Sequence, residues 1–161
     1  MEVKIDSVLL DSLTDQAKTS PRLRMNLDLR NSAEDTSQRM LNAIEPGSVV
    51  PIHRHKKTSE TLVVLRGRIV EEFYNDAGEC TERIEVSPTS SVCALNIPAG
   101  VWHTLQSLES GTVILEMKDG AYEPIEADDI LAVGQKASDD SKVQNCITAL
   151  EIEKDAKKAS I

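Results

Sequence analysis

Short hydrophobic segments recur along this chain, and the first of them alternates with polar residues, which is the pattern of a β-strand with one buried face. It covers residues 22–30 (RLRMNLDLR), where every second residue is Leu or Met and the others are polar. Shorter apolar segments follow at near-regular spacing, separated by turn residues. This arrangement predicts an all-β sandwich or barrel. The predicted strands cover residues 22–30, 38–44, 48–55, 60–66, 68–74, 80–86, 92–97, 101–107 and 112–118.

Helical periodicity is confined to the two ends of the chain. Residues 6–19 predict a short amphipathic helix, capped by Asp6 or Ser7 and ended by a Ser-Pro pair, that packs over a sheet edge. Residues 141–158 show a similar pattern, but a strand at 146–152 competes with a helix there, and a partly ordered tail is a further alternative. The predicted face of the first helix consists of Val8, Leu9, Leu13 and Ala17.

The length of 161 residues suits one domain. We divide it into an N-terminal helical segment packing on the barrel (1–21), a β-barrel (22–120) and a C-terminal extension (121–161). Only four aromatic residues are present, so the core is expected to consist mostly of Leu, Val and Ile.

Charge and composition exclude several classes of partner. The net charge of −9 argues against nucleic acid and against an anionic membrane surface. No apolar run approaches the roughly 20 residues of a spanning helix, and the first residues lack the pattern of a signal peptide. The three cysteines are far apart and form no CxxC pair, so we expect them to be reduced and the protein to be cytoplasmic.

The strongest chemical signal is the placement of the histidines. His53 and His55 are two residues apart, so in an extended segment both side chains point the same way. Glu60 opens the next apolar run, and if that run pairs back as the next strand its carboxylate can face the imidazoles. His103 is the third and last histidine of the chain.

Three imidazoles and one carboxylate suit one divalent transition metal and leave coordination positions open for a ligand. Fe, Mn, Ni, Co, Cu and Zn are all admissible for this donor set. The candidate metal ligands are therefore His53, His55, Glu60 and His103.

Residues 47–67 also resemble the first motif of the cupins, G-x5-H-x-H-x4-E-x6-G, at every position. The second motif, G-x5-P-x-G-x2-H-x3-N, is met by Pro98, Gly100 and His103, but Val92 and Ser107 replace its first Gly and its Asn. The resemblance implies a single-domain, mainly β protein with a cupin jelly-roll β-barrel. It also implies a metal in the barrel mouth and a homodimer.

A narrower resemblance covers roughly residues 5–130. The segments SPRLRMNLDLR, EEFYNDAGE and LEMKDGAYEP are similar to those of WbuC-type cupin fold metalloproteins. These small bacterial proteins are often encoded beside surface-polysaccharide genes. The resemblance implies a fold and a metal but no particular reaction.

Candidate substrate-binding residues are fewer. Arg24 and Asn26 lie on the polar face of the first strand, which is either solvated or lines a pocket for a polar or anionic ligand. The hydroxyl group of Tyr122 is a further candidate. Trp102 precedes His103 and is therefore expected to point away from the metal.

Two functions remain open. The protein is either a metal-dependent enzyme, such as an isomerase or oxygenase acting on a sugar or sugar nucleotide, or a non-catalytic metal- or ligand-binding regulatory cupin. No fourth histidine is available as a general base, so no catalytic residue is assigned. In both cases the partner is a small molecule, and the sheet edges are expected to support a homodimer.

Overall fold

Two antiparallel sheets face each other in the protein, according to a computed structural model that describes residues 2–131. The first sheet has five strands in the order β1-β2-β8-β3-β6, and the second has three in the order β5-β4-β7. The strands are β1 Arg24–Asp28, β2 Ser37–Ile44, β3 Glu60–Arg66, β4 Ile69–Tyr74, β5 Cys80–Val86, β6 Ala94–Ile97, β7 Trp102–Ser107 and β8 Thr112–Asp119. The expected mainly β architecture with one short N-terminal helix is confirmed.

The apolar core lies between the two sheets. It is built mostly from branched aliphatic side chains, as the scarcity of aromatic residues predicts. Alternation along each strand sends one set of side chains into this core and the other set outward. The buried residues of this cluster are Ile44, Leu62, Val64, Ile69, Val86, Ile97, Leu105 and Ile114.

Helix α1 (Ser7–Thr19) packs on the outer face of the five-stranded sheet, against β1, β2 and β8. The Asp6 side chain accepts a hydrogen bond from the backbone N–H of Leu9 (3.1 Å), so the predicted cap is present. The predicted face is wrong at Val8, which is 74% exposed, and Leu10 is buried instead. The helix also covers a sheet face rather than an edge.

One predicted strand is absent. Residues 48–55 are extended, but they make only isolated bridges at His53, to His103 and to Ile130. Pro51 has no backbone N–H to donate, and β7 and residues 129–131 bond the segment from two sides at single positions. A continuous ladder therefore does not form, and β3 pairs with β6 and β8 instead.

The chain beyond β8 continues to a 3-10 turn at Ala127–Asp129. Ile130 reaches back to the His53 segment, so part of the predicted C-terminal extension contacts the barrel. The division into three segments stays a prediction. The predicted helix or strand at 141–158 lies outside the described residues. Among residues 2–131, no helix is long and apolar enough to cross a membrane.

Candidate metal centre

The segment that carries His53 and His55 is held from both sides. His53 and His103 exchange two backbone hydrogen bonds of 2.9 Å, which places one imidazole beside the other. On the opposite side, the backbone N–H of Arg54 donates to the carbonyl of Asp129 (3.0 Å), and that of Leu131 donates to the carbonyl of Ile52 (2.9 Å). Backbone pairing thus fixes the segment although it belongs to neither sheet.

Two of the imidazoles are oriented by backbone carbonyl groups. His53 Nδ1 lies 3.0 Å from the carbonyl oxygen of Pro51, and His103 Nδ1 lies 2.9 Å from that of Val101. A carbonyl oxygen only accepts hydrogen bonds, so each Nδ1 carries the proton and each Nε2 keeps a free lone pair. Such an outer contact on the second ring nitrogen is usual for metal-binding histidines.

Four side chains converge at one point in the barrel mouth. One donor atom each from His53, His55, Glu60 and His103 lies within 4.8 Å of the others. Glu60 Oε2 is 3.0 Å from His55 Nε2 and 3.9 Å from His103 Nε2. Despite this proximity, both nitrogens are buried and neither makes a well-aligned hydrogen bond within the described part of the chain. Buried lone pairs without a partner are costly, which is the situation that a bound cation would relieve.

Protonation states also suit a cation. Burial lowers the pKa of His53 to about 3 and lowers the pKa of His103, so both imidazoles are neutral near pH 7. Burial would raise the pKa of Glu60, but the adjacent His55 and Lys118 outweigh it, so the pKa is lowered and the group stays a carboxylate. Neutral imidazoles and an ionised carboxylate are the forms that bind metal. The donor set therefore fits one divalent transition metal.

Three ionisable residues beside these ligands are not predicted by the sequence pattern. Glu71 is buried, and the side chains of Glu116 and Lys118 are only 13% and 10% exposed. Lys118 donates to Glu60 Oε2 (3.1 Å) and to Glu116 Oε2 (3.5 Å). Burial raises the pKa of Glu116, and it raises the pKa of Glu71 to about 9. The only signal in the sequence is that Glu71 alternates with Ile69 and Phe73 on β4, the other two residues of its face.

The predicted substrate residues Arg24 and Asn26 are not beside the metal ligands. Arg24 pairs with Ile44 on β2, whereas Glu60 and Lys118 lie in the row of Gln38. The six steps from Gln38 to Ile44 correspond to about 20 Å along the strand. Arg24 donates instead to the carbonyl oxygen of Val49 (2.5 Å), and Asn26 is exposed.

Tyr122 is 41% exposed, and the Arg30 guanidinium lies 5.7 Å from its ring centroid. The roles of Arg24, Asn26 and Tyr122 in substrate binding stay predictions.

Trp102 lies on the outer face of its sheet, opposite the metal ligands. Its indole N–H donates to Asp76 Oδ1 (2.9 Å), and the guanidinium carbon of Arg54 lies 4.2 Å from the ring centroid. Arg54 and Lys56 both form ion pairs with Asp129. These contacts brace the histidine segment from outside, so the two basic side chains have protein partners.

The fold is similar to those of several solved structures. KdgF from Halomonas sp. has a TM-score of 0.50 and 17% identity, with 70% of this chain and 89% of that chain covered. The TT1209 protein from Thermus thermophilus has a TM-score of 0.53 and 21% identity, covering 74% and 98%. An oxalate oxidase has a TM-score of 0.52 and 15% identity, and 65% of this chain spans 54% of that one.

At these identities the similarity shows the fold alone. KdgF and oxalate oxidase are cupin-fold proteins, so the expected cupin architecture is confirmed. No sequence among the curated proteins matches this chain. A family profile, described as a domain of unknown function (DUF6016), matches residues 5–86, which is just over half of the chain. The chain therefore belongs to the DUF6016 family, and its fold is that of the cupins.

Proposed function

We propose that the protein is a metal-dependent cupin that binds one divalent transition metal through His53, His55, Glu60 and His103. The convergence of their donor atoms within 4.8 Å carries this proposal, together with two buried imidazole nitrogens that have no hydrogen-bond partner among residues 2–131. When bound, the metal would supply a Lewis acid that polarises a carbonyl or hydroxyl oxygen of a ligand in the barrel mouth. Fe, Mn, Ni, Co, Cu and Zn all remain candidates.

The chain's own residues prepare this chemistry. The two backbone carbonyl groups hold the imidazoles of His53 and His103, and Lys118 orients the Glu60 carboxylate. Burial of His103 and Glu60 keeps bulk water away from their donor atoms. Glu71, which is buried, and Glu116, whose side chain is 13% exposed, supply carboxyl groups near the donors, which the reaction of an enzyme would need for moving protons.

The ligand that we propose is a small polar molecule, such as a sugar or sugar nucleotide in bacterial surface-polysaccharide metabolism. The similarity of several segments to WbuC-type cupins supports this role. The cupin motifs and the sheet edges support a homodimer, and the three widely spaced cysteines support a cytoplasmic location. The alternative is a non-catalytic cupin that binds a metal and a ligand as a regulator. Turnover of nucleotide sugars by the metal-loaded protein would separate an enzyme from a binder.

Metal content is the first test of this proposal. We expect the purified protein to bind about one equivalent of a transition metal by elemental analysis. His53→Ala and Glu60→Gln should each weaken binding by at least about tenfold, because each removes one of four donors. Glu72→Gln is the matched control. Glu72 is also buried, but it lies on the face of β4 that is turned away from the metal ligands, and it pairs with Arg83.

A wild-type protein without stoichiometric metal, and with a metal affinity equal to that of His53→Ala, would contradict the proposed site. Equal losses in Glu60→Gln and Glu72→Gln would instead indicate a general loss of folding. Circular dichroism of each variant distinguishes these outcomes.

A further inference from the structure

The interior of the barrel below the metal ligands is layered. His103, Glu60 and Lys118 form the layer at the mouth. One step deeper, Glu71 projects from β4 and Glu116 from β8, so the two sheets each contribute one carboxyl group. Leu62 and Leu105, which pair with Glu116 and Glu71, lie in the same row and belong to the apolar core. The two carboxyl groups therefore border the apolar core directly below the metal ligands.

The register fixes how close Glu71 is to the metal ligands. Phe73 pairs with His103 and Glu71 pairs with Leu105, so Glu71 and His103 are diagonal neighbours on the inner face of one sheet. Such neighbours lie about 7–8 Å apart between their backbones. A ligand of a few carbon atoms that is bound at the metal would therefore reach the Glu71 carboxyl group.

Glu71 differs from every other carboxyl group of this interior. Its side chain is 0% exposed, and neither oxygen has a hydrogen-bond partner among residues 2–131. Glu116, by contrast, is bonded to Lys118, and Glu60 is bonded to the same amine. A buried carboxyl group without partners costs free energy, so a structural role does not explain Glu71.

The charges around Glu71 limit the kind of ligand that it can bind. It faces Glu60 and Glu116 across the barrel and Glu72 lies beside it in sequence, and all three repel negative charge at this position. Burial keeps Glu71 protonated at neutral pH, since it raises the pKa of the carboxyl group, and a protonated carboxyl group offers one donor and one acceptor. A hydroxyl group of the ligand can accept a hydrogen bond from this donor and donate one to this acceptor. A carboxylate of the ligand at the same position would be repelled by the neighbouring acids.

We propose that Glu71 is a ligand-binding residue, and that the part of the ligand entering the barrel is neutral and carries hydroxyl groups. This inference rests on the proposed function, since the same ligand would contact the metal. It assigns the position beside Glu71 to a hydroxyl group of a hydroxyketone, a polyol or the sugar portion of a larger molecule, and not to a carboxylate.

The test uses the Co(II)-loaded protein, whose visible absorption reports ligands that reach the metal. Dihydroxyacetone serves as the neutral probe and oxalate as the dicarboxylate. The decisive quantity is the ratio of the two dissociation constants in wild type and in Glu71→Leu. We expect Glu71→Leu to weaken dihydroxyacetone binding by about tenfold while leaving oxalate binding unchanged or tighter.

Two further variants separate a binding role from a structural one. Glu71→Gln keeps one donor and one acceptor, so it should bind dihydroxyacetone within about threefold of wild type. Glu82→Gln removes an exposed acid of strand β5 that does not act on Glu71, and it should leave both dissociation constants unchanged. Cobalt content is measured first for each variant, so that the ratio is compared only between loaded proteins.

The possible outcomes are distinct. If wild type binds no stoichiometric cobalt, the proposed metal site fails and this inference fails with it. If wild type binds cobalt but Glu71→Leu keeps the wild-type ratio, only the inference is overturned. In that case water alone would satisfy the hydrogen-bonding groups of Glu71.

Discussion

Glu71 lies in an environment that favours the protonated form of its carboxyl group. Burial among other acids raises the pKa of its carboxyl group to about 9 from an ordinary value of 4.5. Between these values the folded protein holds a proton that the unfolded chain releases. Stability is therefore expected to fall as the pH rises from about 4.5 towards 9.

Glu71→Gln should remove this loss of stability at high pH, because an amide has no proton to lose. We expect the metal-free variant to be more stable than metal-free wild type at pH 8 by about 1–3 kcal/mol, and the gain to be much smaller at pH 5. Urea unfolding at the two pH values measures the difference. Glu82→Gln on the exposed strand β5 is the control for replacing an acid with an amide. An equal gain at both pH values would show that Glu71 is not the titrating group.

At the scale of elements, the histidine segment illustrates how a metal ligand set is positioned without a regular strand. Only His53 forms bridges, one on each side. The Asp129 carboxylate accepts from Arg54 and Lys56, which ties the 3-10 turn to the same segment. The ligands therefore depend on contacts that are distant in sequence, from β7 and from residues 127–131.

The turn between β3 and β4 depends on a glycine. Gly67 has φ +78°, and a Cβ atom there would lie 2.7 Å from Thr112 Cα in the neighbouring strand. We expect Gly67→Ala to lower the free energy of unfolding by at least about 3 kcal/mol, because the contacted atom is backbone and cannot move aside.

Gly100 provides the matched control for that variant. Its φ is +83°, yet a Cβ atom would meet nothing within 4 Å. Gly100→Ala should therefore cost only the backbone strain, about 1–2 kcal/mol. Urea unfolding of both variants measures the two losses. Equal losses would mean that strain alone, and not the approach of Thr112, determines the requirement for Gly67.

At the scale of the whole molecule, the five-stranded sheet is covered on both faces. Its inner face packs on the three-stranded sheet, and its outer face packs on helix α1. Arg66 joins the helix to the barrel by an ion pair with Asp11 and a hydrogen bond to Thr14. The helix is thus an integral layer of the fold.

Substitution of Leu13 tests how much helix α1 contributes to the stability of the fold. It is 4% exposed between the helix and the sheet, so Leu13→Ala should destabilise the protein by about 2–4 kcal/mol through lost burial and a cavity. Val8→Ala on the same helix should change stability by less than about 0.5 kcal/mol, because Val8 is 74% exposed. Urea unfolding compares the two. Similar effects would indicate that the helix does not pack as described.

The spacing of residues along the chain determined much of this protein. Period-two alternation at residues 22–30, and short apolar segments spaced regularly between turn residues, predicted the strands that the structure describes, although β1 and β6 are shorter than expected. The two-residue interval between His53 and His55, followed by Glu60, marked the candidate metal ligands, because an extended segment places alternate side chains on one side. These features are local, so the sequence displays them directly.

Tertiary structure decided the rest. Alternation shows that Glu71 and Glu72 lie on opposite faces, but not which face turns inward; packing of the two sheets decides that. Strand register, set by long-range pairing, placed Arg24 about 20 Å along the sheet from the row of Glu60. The same pairing brought Glu116 and Lys118 beside the metal ligands. Contacts between residues far apart in sequence depend on register and packing, which one strand's pattern does not specify.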